Sequence, residues 1–275
     1  MRKTETRGDC PVCGYPKAYT ETITREGKRL GWCASCQDKE AIAAYLRDPE
    51  QPGRRVDPAA ILQDRAERAA KAKERARIIW DGAEGCREHN PGGKYLTRRG
   101  LAVQIHNASL RWRTDCMHPD GKRYPAMVAR IQNVHGEFQG VHRTFLTMEG
   151  TKADLDPQKA SLGTVWGCAI WFPRPGKTTS WREIVVAEGI ESALSAGLLL
   201  DLPAMAAISA GNLASGMMLP DTTKIVMIAA DHDKPGIVAA ETATARWAAE
   251  GRMVRIMKPA IPGHDFNDVL LGKTA

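Results

Sequence analysis

The last hundred residues alternate short apolar runs with amphipathic stretches, and this alternation constrains the fold more than any other feature of the chain. Ile184, Val185, Val186 and Ala187 lead straight into Glu188-Gly189. The apolar run 225–230 leads straight into Asp231-His232-Asp233. Uninterrupted apolar runs of this length read as strands buried on both faces, as in a parallel sheet. Further strands are expected at 204–208 and 253–257. A helix is expected over 190–200, with Gly189 easing the turn beside Glu188. A second helix should open at Pro235-Gly236 and end at Glu250-Gly251, where glycine suits the position after a helix. The expected fold class is α/β, a parallel sheet flanked by helices.

In an open sheet of this kind, ligands bind beyond the carboxyl ends of the strands. Glu188, Asp231 and Asp233 would meet there and repel one another unless a cation sat among them. Magnesium suits such a place, because it takes oxygen ligands, keeps several waters and bridges to phosphates. The competing reading makes the acids helix N-caps, which alone would not need an Asp-x-Asp pattern. Two more acids follow in the segment 263–270, at Asp265 and Asp268.

The other end of the chain carries Cys10, Cys13, Cys33 and Cys36, two C-x2-C pairs separated by nineteen residues. Four thiolates in this pattern predict a structural zinc in a zinc ribbon, closed to catalysis because protein fills all four positions. A redox dithiol would need only one pair. A strand is expected at 19–24, a turn at 26–28, and a return through Leu30-Gly31-Trp32. Arg25, Lys28, Arg29, Lys39 and Trp32 surround the ribbon, a mixture of basic and aromatic groups that suits single strands. Cys86, Cys116 and Cys168 stand alone and are expected to be buried or incidental.

Between the two ends, the segment from Asp48 to Pro58 is rich in Pro, Gly and charge and reads as a linker. A helix is expected over 58–81, supported by pairs such as Asp64 with Arg68. A short helix at 91–98 and a hairpin pairing 126–134 with 138–146 follow. Arg143 on the second hairpin strand and Lys159 in a loop of small residues are candidate triphosphate ligands, one a two-pronged donor and the other a point charge. Pro175-Gly176-Lys177-Thr178 imitates the end of a P-loop, but Trp171 stands where that loop requires glycine. The resulting organisation is a ribbon (1–48), linker and helix (49–80), a mixed α+β region (81–178) and the parallel sheet (179–275).

The 39 Lys and Arg against 32 acids give a net charge of +7, which favours a polyanionic partner without specifying one. No apolar stretch is long enough to span a bilayer, and the charged start is not followed by an apolar segment. No membrane partner is expected, and the cytoplasm is the expected location.

Val186-Ala187-Glu188-Gly189, Asp231-His232-Asp233-Lys234-Pro235-Gly236 and Asp265-Phe266-Asn267-Asp268 together resemble the toprim domain of bacterial-type primases, topoisomerases and some nucleases. With the four-cysteine ribbon ahead of it, the chain looks most like primases of phages, plasmids and mobile elements. The resemblance implies that Glu188, Asp231 and Asp233 hold catalytic magnesium, with Asp268 or Asp265 as a later acid. It also implies that Arg143 and Lys159 lie near the nucleotide. The chain departs from the pattern at Ser192, where many primases have Asp, and Glu191 beside it is the candidate substitute.

The implied activity is synthesis of short RNA primers on a single-stranded DNA template from nucleoside triphosphates, with any replicative helicase a separate protein. Two alternatives remain open: a toprim nuclease that activates water, and a non-catalytic single-strand binder. A topoisomerase would need a tyrosine nucleophile domain for which the chain has little room.

Overall fold

The computed structural model describes residues 4–15, 17–24, 26–49 and 58–273. Arg25 and most of the expected linker lie outside the described residues. Two compact units emerge, 1–70 and 71–275.

The first unit holds the antiparallel strands β1 (Thr4–Gly8), β2 (Tyr19–Ile23) and β3 (Arg29–Cys33), in that order across the sheet, followed by helix α1 (Lys39–Arg47). Asp38 caps α1 by accepting from the Ala41 amide. Its core gathers Cys10, Val12, Cys13, Tyr19, Cys33 and Ile42. So small a core cannot hold a fold by apolar burial alone, which makes the cysteine cluster its natural staple. Helix α2 (Pro58–Asp81) contains the boundary between the units. Its Asp64 and Arg68 form the expected ion pair, 2.8 Å apart.

The second unit is built on a ten-stranded mixed sheet. Its early elements are β4 (Glu84–Gly85), α3 (Pro91–Arg98), β5 (Leu110–Met117), β6 (Arg123–Gln132), β7 (Phe138–Phe145), β8 (Lys159–Gly163) and β9 (Ala169–Phe172). Then come β10 (Glu183–Ala187), α4 (Ile190–Leu200), β11 (Ala204–Ala206), β12 (Ile225–Ala229), α5 (Lys234–Ala249), β13 (Met253–Met257) and α6 (Phe266–Leu270). The sheet runs β13-β12-β10-β11-β9-β6-β5-β4, with β7 on β6 and β8 on β7. Strands β13, β12, β10 and β11 are mutually parallel, and β9 joins β11 antiparallel.

The apolar strands are covered on both faces, as their uninterrupted runs require. Ile184 and Val186 of β10 enter one cluster with Val226, Ile228, Ala240 and Trp247. Val185 and Ala187 enter the other, with Ile190, Ala193 and Leu194 of α4. Thus α5 packs on one face and α4 on the other. Chain order places β11 on one side of β10 and β12 on the other, so a topological switch point opens between β10 and β12. That crevice is where sheets of this class bind ligands.

Two expectations change here. Lys159 does not sit in a loop: it opens strand β8, because the small residues after it pair with β7 in the register Thr144 to Lys159 and His142 to Ser161. Gly189 has φ −92 and ψ 158, open to any residue, and a side chain there would meet Glu191 Oε2 only at 3.7 Å. Its turn does not depend on being glycine. Gly251, by contrast, sits at φ 80 just after α5, where glycine is favoured. Cys86, Cys116 and Cys168 are all buried.

Candidate active site and zinc centre

The two C-x2-C pairs close on one point. Cys10 Sγ lies 4.0 Å from Cys36 Sγ, and Cys13 Sγ lies 3.8 Å from Cys33 Sγ. All four sulfurs fall within 4.8 Å of one another. A tetrahedron with ~2.3 Å zinc–sulfur bonds has edges of about 3.8 Å, whereas a disulfide would bring sulfurs to ~2.05 Å. The spacing therefore fits zinc. Gly14 follows the first pair at φ 70, the left-handed turn such a knuckle needs. Burial raises the Cys33 thiol's pKa, but amides of Cys36 and Ser35 aimed at its sulfur outweigh this and draw it toward thiolate.

The second site stands at the switch point. Ala187 and Ala229 are register partners, so Glu188 and the Ala230-Asp231 step leave adjacent strands side by side. Burial raises the Glu188 carboxyl's pKa, opposed by the Ala210 amide and by Lys159, and reinforced by Asp233. Asp231 is pushed up to about 6, first by burial and then by Asp265, Glu188 and Asp233. The Ser192 hydroxyl donates to Asp231 Oδ1 at 3.1 Å and works the other way. Buried carboxyls whose pKa is raised further by neighbouring acids in a crevice mark a place suited to positive charge. An all-oxygen donor set fits magnesium, which reaches some of its ligands through retained water. Among the described residues, only the four cysteines bring three or more ligating atoms within 4.8 Å, so these acids stand further apart than the thiols do.

The remaining acids divide by role. Asp233 caps α5 by accepting from the Gly236 amide at 2.7 Å, so the N-cap reading holds for this residue, though its field still reaches Asp231 and Glu188. Asp265 and Asp268 form a capping box on α6, and Asp268 also pairs with Lys273 Nζ at 3.0 Å. Asp268 is thus neutralised locally, while Asp265 contributes to the field on Asp231. Of these two acids, Asp265 is the one whose charge bears on Asp231.

Glu191 is engaged by two lysines and a tyrosine. It is 5% exposed, accepts a hydrogen bond from the Tyr95 hydroxyl, and pairs with Lys159 Nζ at 3.0 Å and Lys152 Nζ at 3.7 Å. Burial raises its pKa, but the two lysines and the tyrosine outweigh that and hold it well below the usual carboxylate range. Lys159 therefore does reach the acid cluster.

Arg143 does not. Side chains alternate along β7, and Arg143 points with Val141 and Phe145 to the face opposite Thr144 and His142. It is buried, and its guanidinium donates to the Met117, Ala160 and Ser161 carbonyls. Thr144 and His142 share the Lys159 face, and His142 shares a 2.9 Å hydrogen bond with Ser161 Oγ and is pushed down to about 4 by burial and by Lys159. Period-two counting from Lys159 through its strand partner could have found it. The sequence reading also missed Tyr95 and Lys152, which reach the site from α3 and from the segment after β7.

Residues 183–275 match the toprim domain family. The match takes in β10 to α6, and with them every acid of the crevice. Residues 70–172 match a domain of unknown function (DUF7146), which covers the β5–β8 region that supplies Lys152 and Lys159. None of the curated proteins matches the chain. Among solved structures, the primase fragment of the bacteriophage T7 primase-helicase protein is 15% identical, with 98% of this chain and 96% of that one covered and a TM-score of 0.42. The zinc-binding and RNA polymerase domains of Aquifex aeolicus primase are also 15% identical, covering 100% and 78%, with a TM-score of 0.48. For a DNA primase domain from Pseudomonas aeruginosa the identity is 17% and the TM-score 0.40, and the match spans 59% of this chain and about half (52%) of that one. Among the described residues, no helix is long and apolar enough to cross a membrane.

Proposed function

We propose that this chain is a primase-like nucleotidyltransferase that makes short RNA primers on single-stranded DNA from nucleoside triphosphates. The observation that carries the reading is the placement of Glu188 and Asp231 side by side at the carboxyl ends of adjacent parallel strands, within the stretch that matches the toprim domain. The four-thiol cluster in the other unit supports it.

Glu188 and Asp231, with Asp233 and Asp265 adding charge, would hold magnesium. Bound there, magnesium would lower the pKa of the attacking 3′-hydroxyl and screen the leaving pyrophosphate. The protein's own groups do the positioning. Ser192 fixes the rotation of the Asp231 carboxylate through its hydrogen bond to Oδ1. The Ala210 amide holds Glu188. Lys159 and Lys152, anchored on Glu191, present ammonium groups beside the acids, where the charge of a triphosphate would fall. The Asp268 and Arg143 roles implied by family resemblance are replaced in this reading by Asp265 and Lys152. Template strand and nucleoside triphosphates are its partners in this reading.

The test is incorporation of labelled nucleotides on mixed single-stranded templates, with and without magnesium. Glu188→Gln and Asp231→Asn should each reduce synthesis by about 100-fold or more, the scale on which charge-stabilising groups act. Full synthesis by both variants sinks the assignment. Strand cutting without nucleotides would point to the nuclease reading instead.

A further inference from the structure

Trp166 is 62% exposed, the most exposed of the large apolar side chains identified, yet its ring is not loose. One face rests on Gly216, where a Cβ would stand only 2.7 Å from Trp166 Cδ2 and 2.8 Å from Cε3. Any side chain at Gly216 would evict the indole. The turn carrying Trp166 is clamped by Asn212, whose Oδ1 accepts from the Gly167 amide at 3.1 Å and whose Nδ2 donates to the Cys168 and Ala207 carbonyls. The outcome is a flat aromatic surface with a backbone shelf behind it and solvent in front.

Its position gives that surface a use. Ala206 at the end of β11 pairs with Ile170 near the start of β9. The turn before β9 therefore lies on the same rim of the sheet as Glu188, two strands along, or about 10 Å at the usual strand spacing. The loop that supplies the Ala210 amide to Glu188 continues directly into Asn212 and Gly216. The acid and the indole are thus held by one segment. A cation stands nearby: Lys73 Nζ donates to Gln139 Oε1 at 3.3 Å, and the Gln139 carbonyl accepts from the Thr164 amide two residues before Trp166.

We infer that Trp166 is a stacking platform for a nucleobase of the single strand entering the acid crevice, with Lys73 taking an adjacent phosphate. An exposed aromatic face beside a cation is the chemistry that binds single strands without sequence preference. This rests on the nucleotidyl-transfer reading for its direction of entry, but binding is measurable without catalysis.

The experiment uses the full chain in chelator, with no nucleotides. A single-stranded oligonucleotide carrying 5-iododeoxyuridine is photocrosslinked to the wild-type protein and the joined peptide is mapped. Attachment at Trp166 is expected, and crosslinks confined to other segments overturn the inference. In parallel, fluorescence anisotropy of labelled oligo-dT should show Trp166→Ala binding about 5- to 100-fold more weakly, with Trp166→Phe within about threefold of wild type. Equal affinity of the alanine variant, with or without a lowered melting temperature, makes Trp166 merely a packing or protein-docking residue. Asp231→Asn should crosslink like wild type while its synthesis falls about 100-fold or more. A platform that crosslinks in a chain with so little synthesis therefore stands even if the proposed activity falls.

Discussion

Lys159 Nζ stands 3.0 Å from Glu191 Oε2, joining the first residue of β8 to the first turn of α4. Lys152 and Tyr95 converge on the same carboxylate. Glu191 is therefore an anchor for two cations beside the crevice. Removing its charge leaves both lysines facing a neutral amide in a half-buried setting. Glu191→Gln should lose about 3 kcal/mol of stability at pH 7, the scale for breaking a buried pair by one partner. The carboxyl's folded pKa is depressed, so its contribution is complete above the unfolded value near ~4.3 and fades as pH falls below it. Urea denaturation of wild type and variant should show a gap that narrows in acid. An equal gap at pH 7 and pH 3 would mean that packing, rather than charge, sets the loss.

Asp231 has the opposite sign. Its pKa is raised to about 6, so the metal-free fold prefers the protonated acid. The stability this gives is complete below the ordinary carboxylate value and is lost as pH climbs through about 6. Asp231→Asn should therefore stabilise the metal-free protein at pH 7, by on the order of 1–2 kcal/mol once partial exposure is allowed for. The same substitution should reduce synthesis by about 100-fold or more. Calorimetric melts in chelator at pH 5 and pH 7.5 check this: the wild-type melting temperature should fall between them by more than the variant's does. A variant less stable than wild type at pH 7.5 would mean that its carboxylate is paired.

The cysteine cluster predicts separable behaviour of the two units. Elemental analysis should find one zinc per chain. Cys33→Ser, or a strong chelator, should strip amide-exchange protection from β2 and β3, because the small core around Tyr19 and Ile42 cannot hold them alone. Protection in β10 and β12 should persist, since their clusters lie within residues 71–275. Loss of protection in both units together would contradict this division.

The parts of the fold legible in the sequence are those written by local periodicity. The apolar runs of β10 and β12, the helices α4 and α5, and the two knuckles each declare themselves within ten or so residues. Strand β8 was missed because Lys159-Ala160-Ser161-Leu162-Gly163 is short and weakly apolar, and exists as a strand only through its pairing with β7. Sheet pairing of this kind is a long-range fact. The site divides the same way. Glu188 and Asp231 follow from strand ends. The lysines that meet Glu191, at 152 and 159, come from distant segments and could not be read from its neighbours in the chain. The face Arg143 takes was not legible because choosing a face for a strand requires its partners' register.

Arg143 makes the last case testable. Its guanidinium lies against Phe145 and donates to the Met117, Ala160 and Ser161 carbonyls, tying the end of β5 to β8 across β6 and β7. Hydrogen bonds from a charged donor contribute about 1.5–3 kcal/mol each at most, and removing this one exposes several carbonyls to a buried void. Arg143→Ala should lose about 3 kcal/mol of stability or more, while the folded fraction keeps wild-type KM for nucleotide. Lys159→Ala should do the reverse, raising KM several-fold with a smaller effect on stability, because its 3.0 Å partner Glu191 retains Lys152. Paired denaturation and steady-state assays on the two variants separate the roles. Should Arg143→Ala raise KM as Lys159→Ala does, with stability intact, the guanidinium faces the substrate and the register-based assignment fails.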